Sequence, residues 1–284
     1  MGIANFLCPL IKKKKVHQYH TKHVVAVEQE EEDMYGFYKR IEMQSRAKKN
    51  YLNENVRVLL MDWLIQAHMD FGFEQETLFL AVNVVDRFLS SVVVSVFELK
   101  LVAMAALVIA CKYEEKWLPS AIDFQDIPET YFTSLFGVSF TQEQINSMEK
   151  KILNKLEWKI MVPTIHSFLV ELLRSLGVTD RLLKNMAFYF GELAMNDYAT
   201  NTIHPPSMIA ASAIHAARSC VLGKNHGREW AKTLQKKTGY SKREIASCAE
   251  MLLRLAKMTA HGMPNRKVFE KYSDSTWDAV ALIP

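Results

Sequence analysis

The acidic residues are the side chains of this sequence that could most readily do chemistry. Five of them lie in predicted helices beside Arg, Lys or aromatic residues: Asp62, Asp86, Glu114, Glu115 and Glu149. In such company a carboxylate more often forms a structural ion pair than half of a general acid–base dyad. The motifs of nucleotide binding, serine hydrolases and zinc proteases are absent. The sequence therefore shows no obvious catalytic constellation, and we expect no cofactor.

Metal binding is the other chemistry to consider. His17, His20 and His23 recur at every third position, but no Cys or carboxylate stands among them. A His-bearing tail is therefore favoured over a metal site. The four cysteines lie far apart, and two fall within apolar helical patterns, which favours reduced thiols in an intracellular protein. We expect no metal.

The elements that would position these side chains are organised around Leu101–Trp117. Eleven uncharged residues, four of them Ala, run into a charged exit that starts at Lys112. The segment is too short to cross a bilayer and too Ala-rich for a strand, so it predicts a helix buried on every side. Gly and Pro are scarce, at 10 and 8 residues, which favours an all-helical chain. We expect the charged exit to lie at the surface, where a partner could reach it.

A second Ala-rich helix repeats the first. Ala105–Lys112 and Ala211–Arg218 superpose with a fixed offset of 106 residues, and each ends in a cation. We therefore predict an all-α fold of two tandem five-helix bundles, at 53–161 and 162–262. A basic tail (1–24) and an amphipathic helix (within 25–52) that packs on the outside of the first bundle would precede them. An extended C-terminal tail (263–284) would follow.

The net charge of +4 belongs to one end of the chain. Of the 35 Lys and Arg residues, five lie in the first 23 positions, which contain no acid, so 30 remain against 31 acids. A nearly neutral body argues against nucleic-acid binding, which needs clustered positive charge. Lys12–Lys15 could be a nuclear-import signal, a membrane-surface patch or a solvated tail. We expect no stable membrane association.

Five segments of the chain resemble, in order, the signatures of the cyclins, most closely the mitotic A and B types: Val56–Leu64, Val84–Ser90, Lys112–Glu115, Met148–Leu153 and Tyr198–Pro206. The C-terminal Lys271–Pro284 is similar to their tail as well. The resemblance implies two tandem cyclin boxes and a regulatory subunit that binds and activates a cyclin-dependent Ser/Thr kinase in the cell cycle, at G2/M. It also implies that the chain is not an enzyme and has no chemistry of its own. It also implies a nuclear and cytoplasmic location. The alternative is a transcription-associated cyclin or a cyclin-fold transcription factor.

The resemblance assigns kinase binding to a charged pair and to the apolar residues around it. Lys112 and Glu149 match the pair that contacts the kinase beside its mobile helix. The apolar positions, which could equally be core, are Ile109, Tyr113, Leu153, Trp158 and Ile160. Arg57 and Asp86 match a buried structural ion pair that ties the first two helices together.

The resemblance also implies a groove for protein substrates or inhibitors that carry short apolar docking motifs. It maps to Val56, Leu59, Leu60, Trp63, Gln66, Leu99 and Lys100. Gln66 and Lys100 depart from the family, which usually has acidic and amide side chains there, so a carboxylate for a docking Arg is missing. Leu60 and Trp63 could instead be core. The long Leu118–Phe140 connection is either a determinant of partner choice or an idle surface loop.

Overall fold

The computed structural model describes residues 34–44, 53–117, 123–126, 139–223, 228–261 and 266–284. Its helices in these ranges are α1 (Met34–Ile41), α2 (Glu54–Phe71), α3 (Gln75–Leu89), α4 (Leu99–Glu114), α5 (Gln142–Lys155), α6 (Ile165–Ser175), α7 (Arg181–Asn196), α8 (Tyr198–Ile203), α9 (Pro206–Leu222), α10 (Arg228–Thr238), α11 (Lys242–Ala260) and α12 (Arg266–Tyr272). No strand occurs within these ranges, and the prediction of an all-α fold is confirmed. The basic tail (1–24) and most of the Leu118–Phe140 connection lie outside the described residues.

Helix α4 is the axis of the first bundle. Every residue from Leu99 to Cys111 is buried, and α2, α3 and α5 pack around this helix. Its alanines have no exposed surface, so the neighbouring helices can approach its backbone closely. Helix α4 ends at Glu114, just after its only basic residue of the last turn, Lys112. The predicted buried axial helix with a polar exit is confirmed.

Helix α9 plays the same part in the second bundle. It begins with Pro206, whose fixed φ suits the first turn of a helix. Its residues from Ser207 to Ile214 are all buried, and α6, α7 and α11 pack against it. The two Ala-rich segments of the sequence are therefore the two helical axes of a repeated architecture.

Helix α1 is amphipathic as predicted, but it lies on the second bundle and not on the first. Its Tyr35 and Tyr38 rings meet the Phe168 ring of α6 edge-on, with centroids 5.4 and 5.7 Å apart. Directly after α1, the Glu42 carboxylate accepts hydrogen bonds from the backbone N–H and the hydroxyl of Ser207, at 3.1 and 2.8 Å. An anion is stabilised at this place because Ser207 lies at the N-terminus of α9. The aromatic face and the acid together decide the side on which α1 packs.

The C-terminal segment is folded, which corrects the prediction of an extended tail. It forms α12 and two 3-10 turns, Ser275–Trp277 and Val280–Leu282. Helix α12 packs on α2 and α7, so it contacts both bundles. Its Lys271 ammonium donates to the Glu192 carboxylate at 2.7 Å, and both side chains are almost fully buried. Burial and the adjacent Glu192 raise the pKa of Tyr272, which donates to the same carboxylate.

Arg57 and Asp86 form the predicted buried ion pair. The Arg57 Nε and Nη2 atoms donate to the two Asp86 oxygens at 3.0 and 2.7 Å, which joins α2 to α3. The same guanidinium also donates to the carbonyl oxygens of Asn196 and Met195 at the end of α7, at 2.6 and 3.0 Å. Arg57 therefore ties together the two bundles as well as the first two helices.

Neither a membrane span nor a metal site occurs within the described residues. None of its helices combines the length and the low polarity needed to cross a membrane. In the same residues, no three His, Cys, Asp or Glu side chains come together in a way that could hold a metal ion.

Candidate functional site

The structure brings Lys112 and Glu149 together at the rim of the first bundle. Lys112 lies in the last turn of α4, and Glu149 lies in the middle of α5. The Lys112 ammonium donates to both carboxylate oxygens of Glu149, at 2.6 and 2.7 Å. The Lys112 side chain is 23% exposed and that of Glu149 is 8% exposed. The predicted pair exists, and Lys112 is its solvent-facing member.

Local sequence sets the geometry of this pair. Helix α5 begins at a capping box, in which the Thr141 side chain accepts from the Gln144 backbone and the Gln144 side chain accepts from the Thr141 backbone. The cap fixes where α5 starts, and the packing of α5 on α4 then places Glu149 beside Lys112. An ammonium has three hydrogen-bond donors, and the two contacts with Glu149 use two of them. The pair can therefore offer a donor to the backbone of a partner while it remains internally neutralised.

The apolar residues predicted around the pair fall into two groups. Ile109, Leu153 and Ile160 are only 4–6% exposed, so in the free chain they belong to the core. Trp158 is 48% exposed, and Tyr113 is half-buried at the end of α4. Burial, with a smaller contribution from Glu114, raises the pKa of Tyr113 to about 12, so the phenol stays neutral and can donate a hydrogen bond.

An apolar groove of about 690 Å³ lies between α1, α6 and the segment 160–163 that links the bundles. Ile160 lines it together with Tyr113, the residue that follows Lys112 in α4. On the other wall stand Met34, Phe37 and Ile41 of α1. Phe37 and Met161 are 39% and 59% exposed. The helical spacing of the α1 residues predicted an apolar face. That this face lies opposite Tyr113 depends on how α1 packs, which the spacing does not predict.

Two acids near the site are engaged within the protein. Glu115, predicted to be available to a partner, accepts from the Glu74 backbone N–H at 2.8 Å and from the Thr77 hydroxyl at 2.5 Å, and thus caps α3. Glu76 of α3 accepts from Thr164 at 2.6 Å and lies 2.6 Å from the His166 Nδ1 atom. Because Thr164 is the N-cap of α6, the Glu76 cluster joins the two bundles. Both carboxylates therefore have structural roles.

The residues predicted to form a docking groove are only partly accessible. Leu60, Trp63, Leu99 and Lys100 are buried, with 1–6% exposure, and Val56 and Leu59 are half-buried. The Gln66 side-chain amide donates to Asp70 at 2.7 Å, one turn further along α2. The reading of Leu60 and Trp63 as core residues agrees with their burial. Peptide docking at Val56 and Leu59 stays a prediction.

The chain belongs to the cyclin family. The model of the cyclin N-terminal domain matches residues 33–161, and the model of the cyclin C-terminal domain matches residues 163–284. The two matches meet in the segment that links the bundles, and they confirm the family that the five motifs indicated.

Similar proteins indicate which cyclins this chain resembles. It is 42% identical to G2/mitotic-specific cyclin S13-7 of Glycine max over 257 residues, which cover 89% of this chain and 95% of that protein. It is 40% identical to G2/mitotic-specific cyclin-1 of Antirrhinum majus, over 91% of this chain and 53% of that protein. The chain thus spans about half the length of several such relatives. A viral cyclin from Herpesvirus saimiri has the same fold, with a TM-score of 0.61 and 17% identity over 78% of this chain and 97% of the viral protein.

Proposed function

We propose that this chain is a regulatory subunit that binds and activates a cyclin-dependent Ser/Thr kinase during G2/M progression, and that it has no chemistry of its own. The observation that supports this most directly is the Lys112–Glu149 pair at the rim of a rigid bundle, beside an apolar groove. The similarity to G2/mitotic-specific cyclins favours the cell-cycle role over a transcriptional one.

The activating mechanism is a shift in the conformational equilibrium of the kinase. A protein kinase is active only when its Lys–Glu ion pair and its activation loop are in place. A partner that binds the active arrangement more tightly than the inactive one shifts the equilibrium by that difference in affinity. The surface around Lys112 suits this task because α4 and α5 are fixed by a fully buried core and do not need to be ordered on binding.

The groove supplies the apolar part of the proposed contact. A helix of the kinase would place its apolar face between α1 and the linking segment, where Phe37 and Met161 are exposed. The Lys112 ammonium at the edge would then donate to main-chain oxygen atoms of the kinase. An interface that includes both features would bury on the order of 2,000 Å² or more.

Substrate docking is a second element of the proposal. Val56 and Leu59 would receive an apolar side chain of a protein substrate or inhibitor, while Gln66 and Lys100 offer no carboxylate for an Arg of the docking motif. We also propose a nuclear and cytoplasmic location, no nucleic-acid partner and no stable membrane association. The nearly neutral body of the chain supports the exclusion of nucleic acid.

The test is to capture kinases from the source cells on the full chain, to identify them, and to reconstitute the complex with the purified kinase. We expect a cyclin-dependent kinase whose activity on a Ser/Thr peptide rises by at least a hundredfold when the chain is added. A chain that neither retains nor stimulates such a kinase would refute the proposal. Binding of residues 34–284 to DNA in a salt-sensitive gel shift would instead favour the transcription-factor alternative.

A further inference from the structure

Positive charge is concentrated where α10 ends and α11 begins. Residues 232–243 contain five cations and no acid, namely Lys232, Lys236, Lys237, Lys242 and Arg243. Of the 30 Lys and Arg residues that follow position 23, these five leave 25 against 31 acids, so the segment stands out from an otherwise acidic body. We refer to residues 232–243 as the basic turn.

Contacts inside the protein hold the basic turn in one conformation. The Lys39 ammonium of α1 donates to the Thr238 backbone oxygen at 2.8 Å and lies 3.6 Å from the centroid of the Tyr240 ring. The Tyr240 hydroxyl lies 2.6 Å from the hydroxyl of Ser207 at the start of α9. Thr238 is 2% exposed, and its hydroxyl donates to the backbone oxygen of Leu234. The backbone of the basic turn is therefore set before any partner binds.

The cations of the basic turn are accessible. Four of the five are exposed, and Lys237 is half-buried. The next acid along the chain, Glu244, is engaged in the capping box of α11, where its carboxylate accepts from the Ser241 backbone N–H at 2.8 Å. The basic turn therefore offers a partner several cations on a fixed backbone.

Two of these cations are placed at a cost to the helix that carries them. Lys242 and Arg243 are the first two residues of α11, and the N-terminus of a helix is the positive end of its dipole, where cations are unfavourable. Lys236 and Lys237 lie in the last turn of α10, where the dipole favours them. The fold thus accounts for the cations of α10, but it gives no reason for those of α11.

The chemistry of the surface favours an acidic protein segment as the partner. Within these twelve described residues no aromatic or large apolar side chain is exposed, since Leu234 is buried and Tyr240 is half-buried. The basic turn therefore lacks the side chains that insert into a lipid surface or stack on nucleic-acid bases.

Charge favours a short acidic segment over a long polyanion. The acidic remainder of the body would repel a long polyanion such as DNA, but it would act little on a segment that covers only the basic turn. Asp and Glu side chains accept charge-assisted hydrogen bonds from Lys and Arg, and Arg243 can bind one carboxylate through two N–H groups.

We propose that the basic turn is a docking surface for a protein segment rich in Asp and Glu, which it binds through Lys236, Lys242 and Arg243. Among the described residues, none of α10 or α11 lines the apolar groove assigned to the kinase. The acidic segment and the kinase would therefore occupy different surfaces. The inference goes beyond the proposed function and does not depend on it.

The first test reverses the two cations that the fold does not explain. The probe is a fluorescently labelled decaglutamate peptide, titrated with the full chain and followed by fluorescence anisotropy. Lys242→Glu, Arg243→Glu should bind it at least tenfold more weakly than the wild type does. The midpoint of thermal unfolding should rise, because acids suit the start of α11. A loss of binding in a more stable protein does not come from misfolding.

The matched control is Arg254→Glu, Lys257→Glu, which changes the net charge by the same amount at two other exposed positions of α11. Its affinity for the peptide should stay within threefold of the wild type. Raising the salt concentration from about 0.05 to 0.3 M should weaken binding by the wild type at least fivefold, because salt screens exposed charges. Equal affinities of the Lys242→Glu, Arg243→Glu variant and the wild type, or equal losses in both double variants, would overturn the proposal.

The second test compares the acidic peptide with other anions. A short DNA duplex and vesicles of phosphatidylserine and phosphatidylcholine should not displace the labelled peptide at equal concentrations of negative charge, whereas unlabelled decaglutamate should. Displacement by the duplex or the vesicles as efficient as that by the unlabelled peptide would overturn the proposal, since the surface would then bind anions without preference for carboxylates.

Kinase activation distinguishes this proposal from the proposed function. The Lys242→Glu, Arg243→Glu variant should activate the kinase on a peptide without an acidic segment as well as the wild type does. The Lys112→Ala, Glu149→Ala variant should lose activation but keep its affinity for decaglutamate. If charge reversal at 242 and 243 abolished activation, the basic turn would belong to the kinase contact, and this proposal would fail while the proposed function stood.

Discussion

The Nη1 atom of Arg57 donates a hydrogen bond of 2.6 Å to the backbone oxygen of Asn196, 139 residues further along the chain. This contact joins the first helix of one bundle to the end of α7 in the other. It also explains why Arg57, although charged, can be 1% exposed. Asp86 neutralises the guanidinium, and carbonyl oxygens of α7 accept its further N–H groups. At the junction of the two bundles the buried guanidinium is therefore paired with a carboxylate and with carbonyl oxygens of the other bundle.

Replacing Arg57 should destabilise the whole protein. Arg57→Ala would leave the Asp86 carboxylate buried with only Asn201 as a described donor, and it would remove the donor to Asn196. We expect a loss of about 3–5 kcal/mol in the free energy of unfolding, measured by urea denaturation. The double variant Arg57→Met, Asp86→Leu should lose less, because no unpaired charge remains. A loss below about 1 kcal/mol for Arg57→Ala would contradict this account of the junction.

Replacing Lys112 and Glu149 together should reduce kinase activation strongly while lowering the stability of the chain only slightly. The pair is partly exposed, so we expect the Lys112→Ala, Glu149→Ala variant to lose about 1 kcal/mol of stability. Kinase activation should fall at least tenfold, because the ammonium that would donate to the kinase backbone is gone. The measurements are thermal unfolding and the rate of peptide phosphorylation by the reconstituted complex.

A suitable control is Arg254→Ala, Glu250→Ala, which removes an exposed i,i+4 pair of α11. This control should change neither the midpoint of thermal unfolding nor the rate of peptide phosphorylation appreciably. Full activation by the Lys112, Glu149 double variant would count against the proposed function.

Stability should depend on pH through Asp62 of α2. Burial raises the pKa of Asp62 to about 7, while Lys267 and Arg266 of α12 oppose this and Glu270 of α12 adds to it. The unfolded chain, with a pKa near its ordinary value of 3.8, loses the proton first as the pH rises. The folded state then holds more protons, so this group lowers stability between about pH 4 and pH 7.

The variant Asp62→Asn should remove that dependence. Relative to the wild type it should gain stability as the pH is raised from 4 to 8, by up to about 4 kcal/mol. Urea denaturation of both proteins across this range measures the difference. A difference that does not change with pH would show that Asp62 ionises freely in the folded protein.

Replacing Gly191 should weaken the contact between α6 and α7. A Cβ atom at this position would lie 2.6 Å from the Leu169 Cδ1 and 3.3 Å from the Ile165 Cγ2 of α6. Leu169 is fully buried and has little room to move. We expect Gly191→Ala to cost about 1–3 kcal/mol of stability, in spite of the better helix propensity of Ala.

Gly36 in α1 is the matched control, because nothing lies within 4 Å of a Cβ atom placed there. Gly36→Ala should be neutral or stabilise the protein by up to about 1 kcal/mol. The midpoints of thermal unfolding of the Gly191→Ala and Gly36→Ala variants measure the two effects. Equal effects of the two substitutions would contradict the tight packing inferred at Gly191.

Features that depend on near neighbours in the chain could be predicted from the sequence. The uncharged run that ends at Cys111 indicated the buried axis α4, because helical periodicity relates residues three or four positions apart. The caps at Thr141 and Thr164 are equally local, since each side chain accepts from the backbone N–H three residues further on. The motifs also indicated the family, and with it the pairing of Lys112 with Glu149.

Contacts between distant segments could not be predicted from the sequence, because they depend on how the chain packs. Tertiary packing placed α1 on the second bundle, brought Lys271 to Glu192, and used Glu115 to cap α3. The left-handed backbone of Glu157 and Trp158 could not be predicted either, because neither residue type favours a positive φ. Such features depend on how whole helices pack, and a hydrogen bond across 38 to 165 residues has no local pattern that would reveal it.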